Sequence, residues 1–105
     1  MNQQEILENN KLIFDFMGCK HSVHEAVDTW EMDSLKYHTS WDWLMPVVEK
    51  IEAMGWDTDI CFNSNLHACI ITKKGEEWGI DIIDDTKLSA TYQAVVSFIK
   101  QVTTP

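Results

Sequence analysis

The residues with the greatest chemical potential lie close together near position 20. Cys19, His21 and His24 carry a thiol and two imidazoles, which are good zinc ligands as thiolate and neutral imidazole. A structural zinc site needs four ligands, and the spacing C-x-H-x-x-H matches no standard zinc finger. His38, or an acid such as Glu25, would have to complete the set. We favour a solvated loop here, with a zinc site as the alternative, and we disfavour a cysteine nucleophile because nothing indicates an oxyanion hole.

A second group consists of aspartates in the second half of the chain, at Asp57, Asp59, Asp81, Asp84 and Asp85. Converging carboxylates bind Mg²⁺ or Mn²⁺ and support phosphoryl chemistry. All eight basic residues are lysines, so no arginine is present to stabilise a phosphate, and no general base stands out. We therefore predict no catalytic residues and no cofactor. The interpretation we favour is a charge-rich sheet edge that resists aggregation.

Aromatic residues form the third candidate, because the chain contains five tryptophans in 105 residues. Tryptophan and tyrosine dominate the energetics of binding surfaces. Trp41 fits a core-facing helical stripe, whereas Trp43 lies two positions away and must point to a different helix face. The candidate binding patch consists of Trp30, Lys36, Tyr37, His38, Trp41, Asp42 and Trp43. The alternative interpretation is that these large rings fill a small core.

The charge balance restricts the partners that the protein can bind. The formal net charge is −9, from 17 acidic and 8 basic residues. Scattered lysines do not neutralise a phosphate backbone, so we expect neither nucleic-acid binding nor attachment to an anionic membrane. No apolar run approaches the roughly 20 residues of a membrane span, and the polar start lacks the basic region of a signal peptide. We expect a cytoplasmic protein in a bacterial host cell, as a monomer or homodimer, whose acidic surface suits a protein partner with a basic patch.

The three cysteines favour free thiols over a disulfide framework. Their number is odd, and no secretory signal is recognised. Cys61 and Cys69 would come near each other if the strands that carry them pair. We expect the cysteines to be mostly buried as small apolar residues.

The elements that must position these residues begin with a helix over about 3–17, which Gly18 would stop. Residues 19–38 are interpreted as a loop, with a short strand around 26–30 as the alternative. That strand would add a fourth member to the sheet.

A second helix is predicted to follow the hydroxyl residues Thr39 and Ser40, whose side chains can cap its free N–H groups. Asp42 lies in its first turn, where negative charge is favourable, and Gly55 ends it. Pro46 lies beyond the first turn. It predicts either a kink in this helix or a regular helix that begins at Pro46 itself.

Alternating residues then predict three strands over 56–62, 66–72 and 78–83, joined by short turns that indicate an antiparallel meander. A helix over about 88–102 completes the chain and covers one face of the sheet. We expect the other face to be partly covered too, because apolar residues occur on both sides of the alternation. The residues that suggest this are Cys69, Ile71 and Ile83.

Three segments resemble the phage ABA sandwich domain, a family of small phage and prophage proteins. They are residues 14–18 (FDFMG), residues 37–40 (YHTS) leading into 47–51 (VVEKI), and residues 90–96 (ATYQAVV). The resemblance implies an α-β-α sandwich encoded by a mobile element. It brings no established activity and therefore no functional residues. Family members often have an aromatic residue where this chain has Cys19, so a site that uses that thiol would be particular to this protein.

The sequence therefore predicts one α+β domain over 1–105, with a three-stranded or four-stranded antiparallel meander packed by three helices in the order α-α-β-β-β-α. The predicted function is that of a small, acidic, non-catalytic phage or prophage protein that binds a host or phage protein. One alternative is a protein that binds or sequesters a nucleotide-type ligand. In that case the aromatic patch would stack the base, and the start of the second helix would hold the phosphate. A zinc-binding domain is the third possibility.

Overall fold

The order of elements in the computed structural model is α-α-β-β-β-α, as predicted. The structure describes residues 2–18, 35–63 and 65–103. Within them lie α1 (Gln3–Phe16), α2 (Trp41–Ala53), β1 (Asp57–Asn63), β2 (Leu66–Thr72), β3 (Ile80–Asp84) and α3 (Lys87–Thr103). The predicted α+β fold is confirmed, and the boundaries of the elements shift by no more than two residues.

Helix α1 begins and ends through local backbone chemistry. The Asn2 side chain accepts a hydrogen bond from the Glu5 N–H at 2.8 Å, and the Glu5 carboxylate accepts one from the Asn2 N–H at 3.3 Å. This capping box satisfies two N–H groups that the helix itself leaves unpaired. Gly18 adopts a φ of 67° directly after the helix, so the predicted glycine stop is confirmed.

Helix α2 begins directly after Ser40 as predicted, but without the predicted side-chain cap. Ser40 is its N-cap residue, but the serine side chain makes no capping hydrogen bond, so the predicted hydroxyl cap is wrong. The Ser40 carbonyl instead accepts hydrogen bonds from the Trp43 and Leu44 N–H groups. Asp42 occupies the first turn as expected. The helix runs continuously from Trp41 to Ala53 with Pro46 inside it, so the alternative start at Pro46 is also wrong.

The three strands form one antiparallel sheet in the order β1-β2-β3. The register places Ile60 beside Cys69 and Cys69 beside Ile82, so these three side chains share one face, which we call the inner face. Helix α3 packs against that face, where Cys69 and Ile71 are fully buried. The opposite face, which we call the outer face, carries the other residue of each alternating pair.

This register overturns two expectations. Cys69 and Ile71 lie on the inner face, and Ile83 on the outer face is 58% exposed, so the predicted partial cover of the second face is wrong for these residues. Cys61 pairs with Ala68 and points to the outer face, whereas Cys69 points to the inner face. The two thiols therefore lie on opposite sides of the sheet although their strands pair.

The core lies between the inner face and the three helices. Helix α3 contributes its buried stripe, which includes Val95, Phe98 and Ile99, and α1 and α2 pack beside it. Trp56 is also buried in this core, and its ring meets the Phe98 ring edge to face at 5.0 Å. The Lys50 ammonium joins α2 to the end of α1, because it donates to the Phe16 carbonyl and lies 4.6 Å from the Phe16 ring centre.

The described residues place no helix against the outer face. The second helical layer that the sandwich resemblance implies is therefore not found among them. Residues 19–34 of the predicted loop over 19–38, including the alternative strand around 26–30, lie outside the described residues. Of the described helices, none combines the length and apolar character needed to cross a membrane.

Candidate binding surfaces

The predicted aromatic patch is divided between the core and the surface. Tyr37 is fully buried, and its ring meets the Trp43 ring edge to face at 5.3 Å. Tyr37 cannot offer its ring to a ligand, so its assignment to the patch is wrong, because the ring fills the core beneath α2. Trp41 and Trp43 are half-buried against the core. Trp30 lies outside the described residues.

The remaining members of the patch keep polar groups at the surface. Lys36 and Asp42 are exposed, and the Lys36 carbonyl accepts hydrogen bonds from the Thr39 and Ser40 N–H groups. Asp42 lies at the start of α2, where its carboxylate opposes the approach of a phosphate. The stacking surface and the anion site that a nucleotide requires are therefore both reduced.

Asn10 lies on α1 and connects the turn at residues 35–40 to α3. The sequence analysis did not identify this residue. The Asn10 side chain is 1% exposed. Its amide nitrogen donates to the Leu35 carbonyl at 3.2 Å and faces His38 Nδ1 at 3.1 Å, and its oxygen accepts from the Tyr92 hydroxyl at 2.8 Å. Both the nitrogen and the oxygen of this buried amide are thus paired. A signal for this role was present, because Asn10 falls on the same helical stripe as Ile6 and Ile13.

The contact with Asn10 fixes the state of His38. The Asn10 amide group donates to His38 Nδ1, so the neutral imidazole carries its proton on Nε2. Burial lowers the pKa of His38 from its usual value, which favours the neutral ring further. Because Nδ1 is engaged, His38 supplies a metal only through Nε2.

The other predicted zinc ligands, Cys19, His21 and His24, lie outside the described residues. No group of three or more histidine, cysteine, aspartate or glutamate side chains in the described ranges is arranged to hold a metal ion. The zinc alternative therefore stays a prediction.

The predicted aspartates separate into two groups. Asp57, Asp59 and Asp81 share the outer face, and all three are exposed. Asp84 lies on the inner face opposite His67 and accepts hydrogen bonds from Ser89 and Gln93 of α3.

The partners of Asp84 determine its charge and its role. The Ser89 hydroxyl, the Asp85 N–H and the Gln93 amide hold the pKa of the Asp84 carboxyl below its usual range. Asp84 therefore serves the start of α3 and does not join the outer-face acids.

The outer face combines these acids with exposed apolar side chains. Ile83 is 58% exposed and Leu66 is 46% exposed. Cys61, Ala68 and Ile70 lie on the same face and are half-buried. An antiparallel sheet with one solvated face usually alternates apolar and polar residues, so an apolar centre on the solvated face is unusual. Such a surface is suited to contact with another macromolecule.

An open groove lies between α1 and α3. It is lined by Glu5, Asn9, Gln93, Val96, Ser97 and Lys100. Its volume of about 180 Å³ is below the range of about 300–1,000 Å³ that is typical of ligand pockets. The groove does not favour the small-ligand alternative.

Comparison with known proteins gives no relative from which a function could be transferred. No protein-family model, curated protein or solved structure matches the chain. The resemblance to the phage ABA sandwich domain therefore stays a prediction from the three sequence segments. The candidate surfaces must be judged from their own chemistry.

Proposed function

We propose that this protein is a small, acidic, non-catalytic binding protein, encoded by a phage or prophage, that acts by contacting a host or phage protein with a basic surface. The observation that carries the proposal is the outer face of the sheet. It exposes apolar side chains beside three aspartates, and among the described residues no other element covers it. The phage origin rests on the sequence resemblance alone.

The chemistry of the outer face supports binding and offers little for catalysis. Its side chains are mainly carboxylates and aliphatic groups, with one thiol. Within the described strands, the outer face carries the Cys61 thiol and the Thr72 hydroxyl, but it places no histidine or lysine beside them to act as a general base. Carboxylates around an apolar centre are instead typical of a protein interface with a polar rim.

The proposal is tested by capture of a partner from a bacterial host lysate with matched variants of the full chain. Ile83→Ser and Leu66→Ser each remove an exposed apolar side chain from the outer face. Met54→Ser is the control, because Met54 is 43% exposed at the end of α2, away from the sheet face. Thermal unfolding of each variant confirms that the fold is retained.

We expect each outer-face variant to reduce the captured protein about tenfold, as the loss of an interface anchor of about 1.4 kcal/mol would. Met54→Ser should leave capture unchanged. Equal losses in all three variants, or no loss in any, would contradict the assignment of the outer face. The charge reversal Asp42→Lys tests the rival surface, and a loss confined to that variant would place the contact at the start of α2 instead.

A further inference from the structure

The acidic and apolar side chains of the outer face lie in separate rows, and this arrangement indicates what kind of partner fits the face. The register pairs Ile70 with Asp59 on one side and with Asp81 on the other, so the two carboxylates flank one aliphatic side chain in a single row across the sheet. Neighbouring strands are about 4.8 Å apart, which separates the two aspartate Cα atoms by about 10 Å. Two separate cations fit that spacing.

The next row along the strands is apolar. Ala68 pairs with Cys61 on one side and with Ile83 on the other. Residues two apart on a strand are about 7 Å from each other, so this apolar row lies one side-chain step from the acidic row. The outer face therefore presents acid and apolar rows in succession.

The acids of the outer face have no cation of their own among the described residues. The ion pair that the described side chains form joins Lys11 to Asp15, and both residues lie on α1, away from the sheet. The nearest lysine along the chain after β2 is Lys73, whose ammonium lies 5.6 Å from the Trp56 ring centre, and Trp56 belongs to the core. Among the described residues, Asp59 and Asp81 thus have no lysine partner, and their carboxylates can pair with charges that a binding partner supplies.

The sign of a partner's charge determines which partners can bind this face. A second copy of the chain, packed face to face, would bring the same carboxylates together within a protein of net charge −9. Nucleic acids and anionic membranes carry the same sign and are repelled as well. A protein segment that alternates apolar and basic side chains satisfies both rows at once.

From this arrangement we infer that the outer face binds a basic amphipathic segment of its protein partner. The apolar side chains of that segment cover the row formed by Cys61, Ala68 and Ile83. Its lysine or arginine side chains pair with Asp59 and Asp81. This inference rests on the proposed function and names the chemistry of the partner at the same surface.

The test uses the full-length protein and a synthetic peptide of alternating leucine and lysine as the probe. Binding is measured by calorimetry and located by backbone amide chemical shifts. The double variant Asp59→Asn/Asp81→Asn removes two charges from the outer face. The double variant Glu8→Gln/Glu49→Gln removes two exposed charges from α1 and α2 and gives the same net charge.

We expect the outer-face variant to weaken binding at least tenfold and the control variant to weaken it less than twofold. The shifts should be centred on β1, β2 and β3. Equal weakening by both variants would show that net charge alone attracts the peptide, and shifts centred elsewhere would place it on another surface. Either result overturns the inference.

The same experiment separates this inference from the proposed function. If Ile83→Ser still abolishes partner capture while the peptide shows no preference for the outer face, the protein-binding function stands and the basic chemistry fails. If both the capture and the peptide are insensitive to the outer face, both fail.

Discussion

The inner and outer faces of the sheet are formed by the same three strands but differ in how far their side chains are buried. On the inner face, Cys69 and Ile71 are fully buried and Ile80 is 8% exposed, because α3 packs on them. On the outer face, Asp59 and Asp81 are exposed, and Ile83 is 58% exposed. The difference shows that the apolar residues of the outer face are not needed to build the core.

The largest expected effect tests this difference with the same substitution on each face. Ile71→Ala should lower the free energy of unfolding by about 2–5 kcal/mol, because it removes buried methyl groups and leaves a cavity. Ile83→Ala should cost less than about 0.5 kcal/mol, because that side chain already contacts water. Urea unfolding of both variants measures the two costs.

The milder variant Ile71→Val keeps this test available if Ile71→Ala does not fold. It should cost about 1 kcal/mol. An equal cost for Ile71→Ala and Ile83→Ala would mean that the outer face is packed like the inner one, which would contradict the comparison.

The second effect concerns the buried contacts of Asn10 on the helical side of the sheet, in contrast to the exposed aspartates of the outer face. Asn10→Ala should cost about 3 kcal/mol, because the Leu35 carbonyl and His38 Nδ1 lose their donor, and the Tyr92 hydroxyl keeps only its 3.5 Å contact with the Ile6 carbonyl. Tyr92→Phe should cost about 1 kcal/mol, since the Asn10 amide keeps its contacts with Leu35 and His38.

Chemical denaturation measures both variants, with Glu8→Ala on the exposed side of α1 as the control. The control should change the free energy of unfolding by less than about 0.5 kcal/mol. If Asn10→Ala is as mild as the control, the Asn10 contacts do not hold the turn at 35–40 in place.

Much of the fold followed from the sequence because periodicity and glycine stops act locally. The strand alternation placed Asp57 and Asp59 on one side of β1, but it left open whether Asp81 shares that face, which depends on the register. It could not decide which face α3 would cover, because isoleucines occur on both sides of β2 and β3. That choice depends on the packing of α3 as a whole.

The site was predicted less completely than the fold. Tyr37 was assigned to a surface patch because tyrosine is common at interfaces, but its ring lies in the core below Trp43. Asn10 was missed because a polar residue on a helix is usually solvated. Its pairing with His38 and Tyr92 spans 28 and 82 residues of sequence, and no local pattern contains such contacts.

The third prediction compares the two thiols of the sheet. Burial raises the pKa of Cys69 to about 11. At pH 8 only about 0.1% of this thiol is thiolate, the form that reacts with iodoacetamide. We expect Cys69 to be alkylated more than about 100-fold faster in denaturant than in the native protein.

Cys61 on the outer face is half-buried and should be alkylated in the native protein well before Cys69. Peptide mass mapping after timed labelling distinguishes the two positions. Equal native rates at Cys61 and Cys69 would mean that the inner face opens to solvent as easily as the outer one.

The smallest expected effect is the pH dependence of stability through His38. Burial lowers the pKa of His38 below the usual value of about 6.5, so the unfolded chain takes up a proton at a higher pH than the folded chain. This contribution to stability is complete above about pH 6.5 and is lost as the pH falls through the folded-state pKa.

Unfolding free energies at pH 7 and pH 5.5 measure this loss, and His38→Asn should reduce it. The introduced amide side chain cannot take up a proton in either state, so the variant lacks this source of pH dependence. A decline of the same size in His38→Asn would assign the pH dependence to other groups.

The measurement that tests the central claim most directly is photo-crosslinking in a bacterial host cell, with a photoreactive amino acid placed at position 83 or position 54. Both positions expose an apolar side chain, but only Ile83 lies on the outer face. We predict that position 83 crosslinks to one defined protein with a basic surface and that position 54 does not. The same crosslink from both positions, or from position 54 alone, would contradict the outer face as the docking surface.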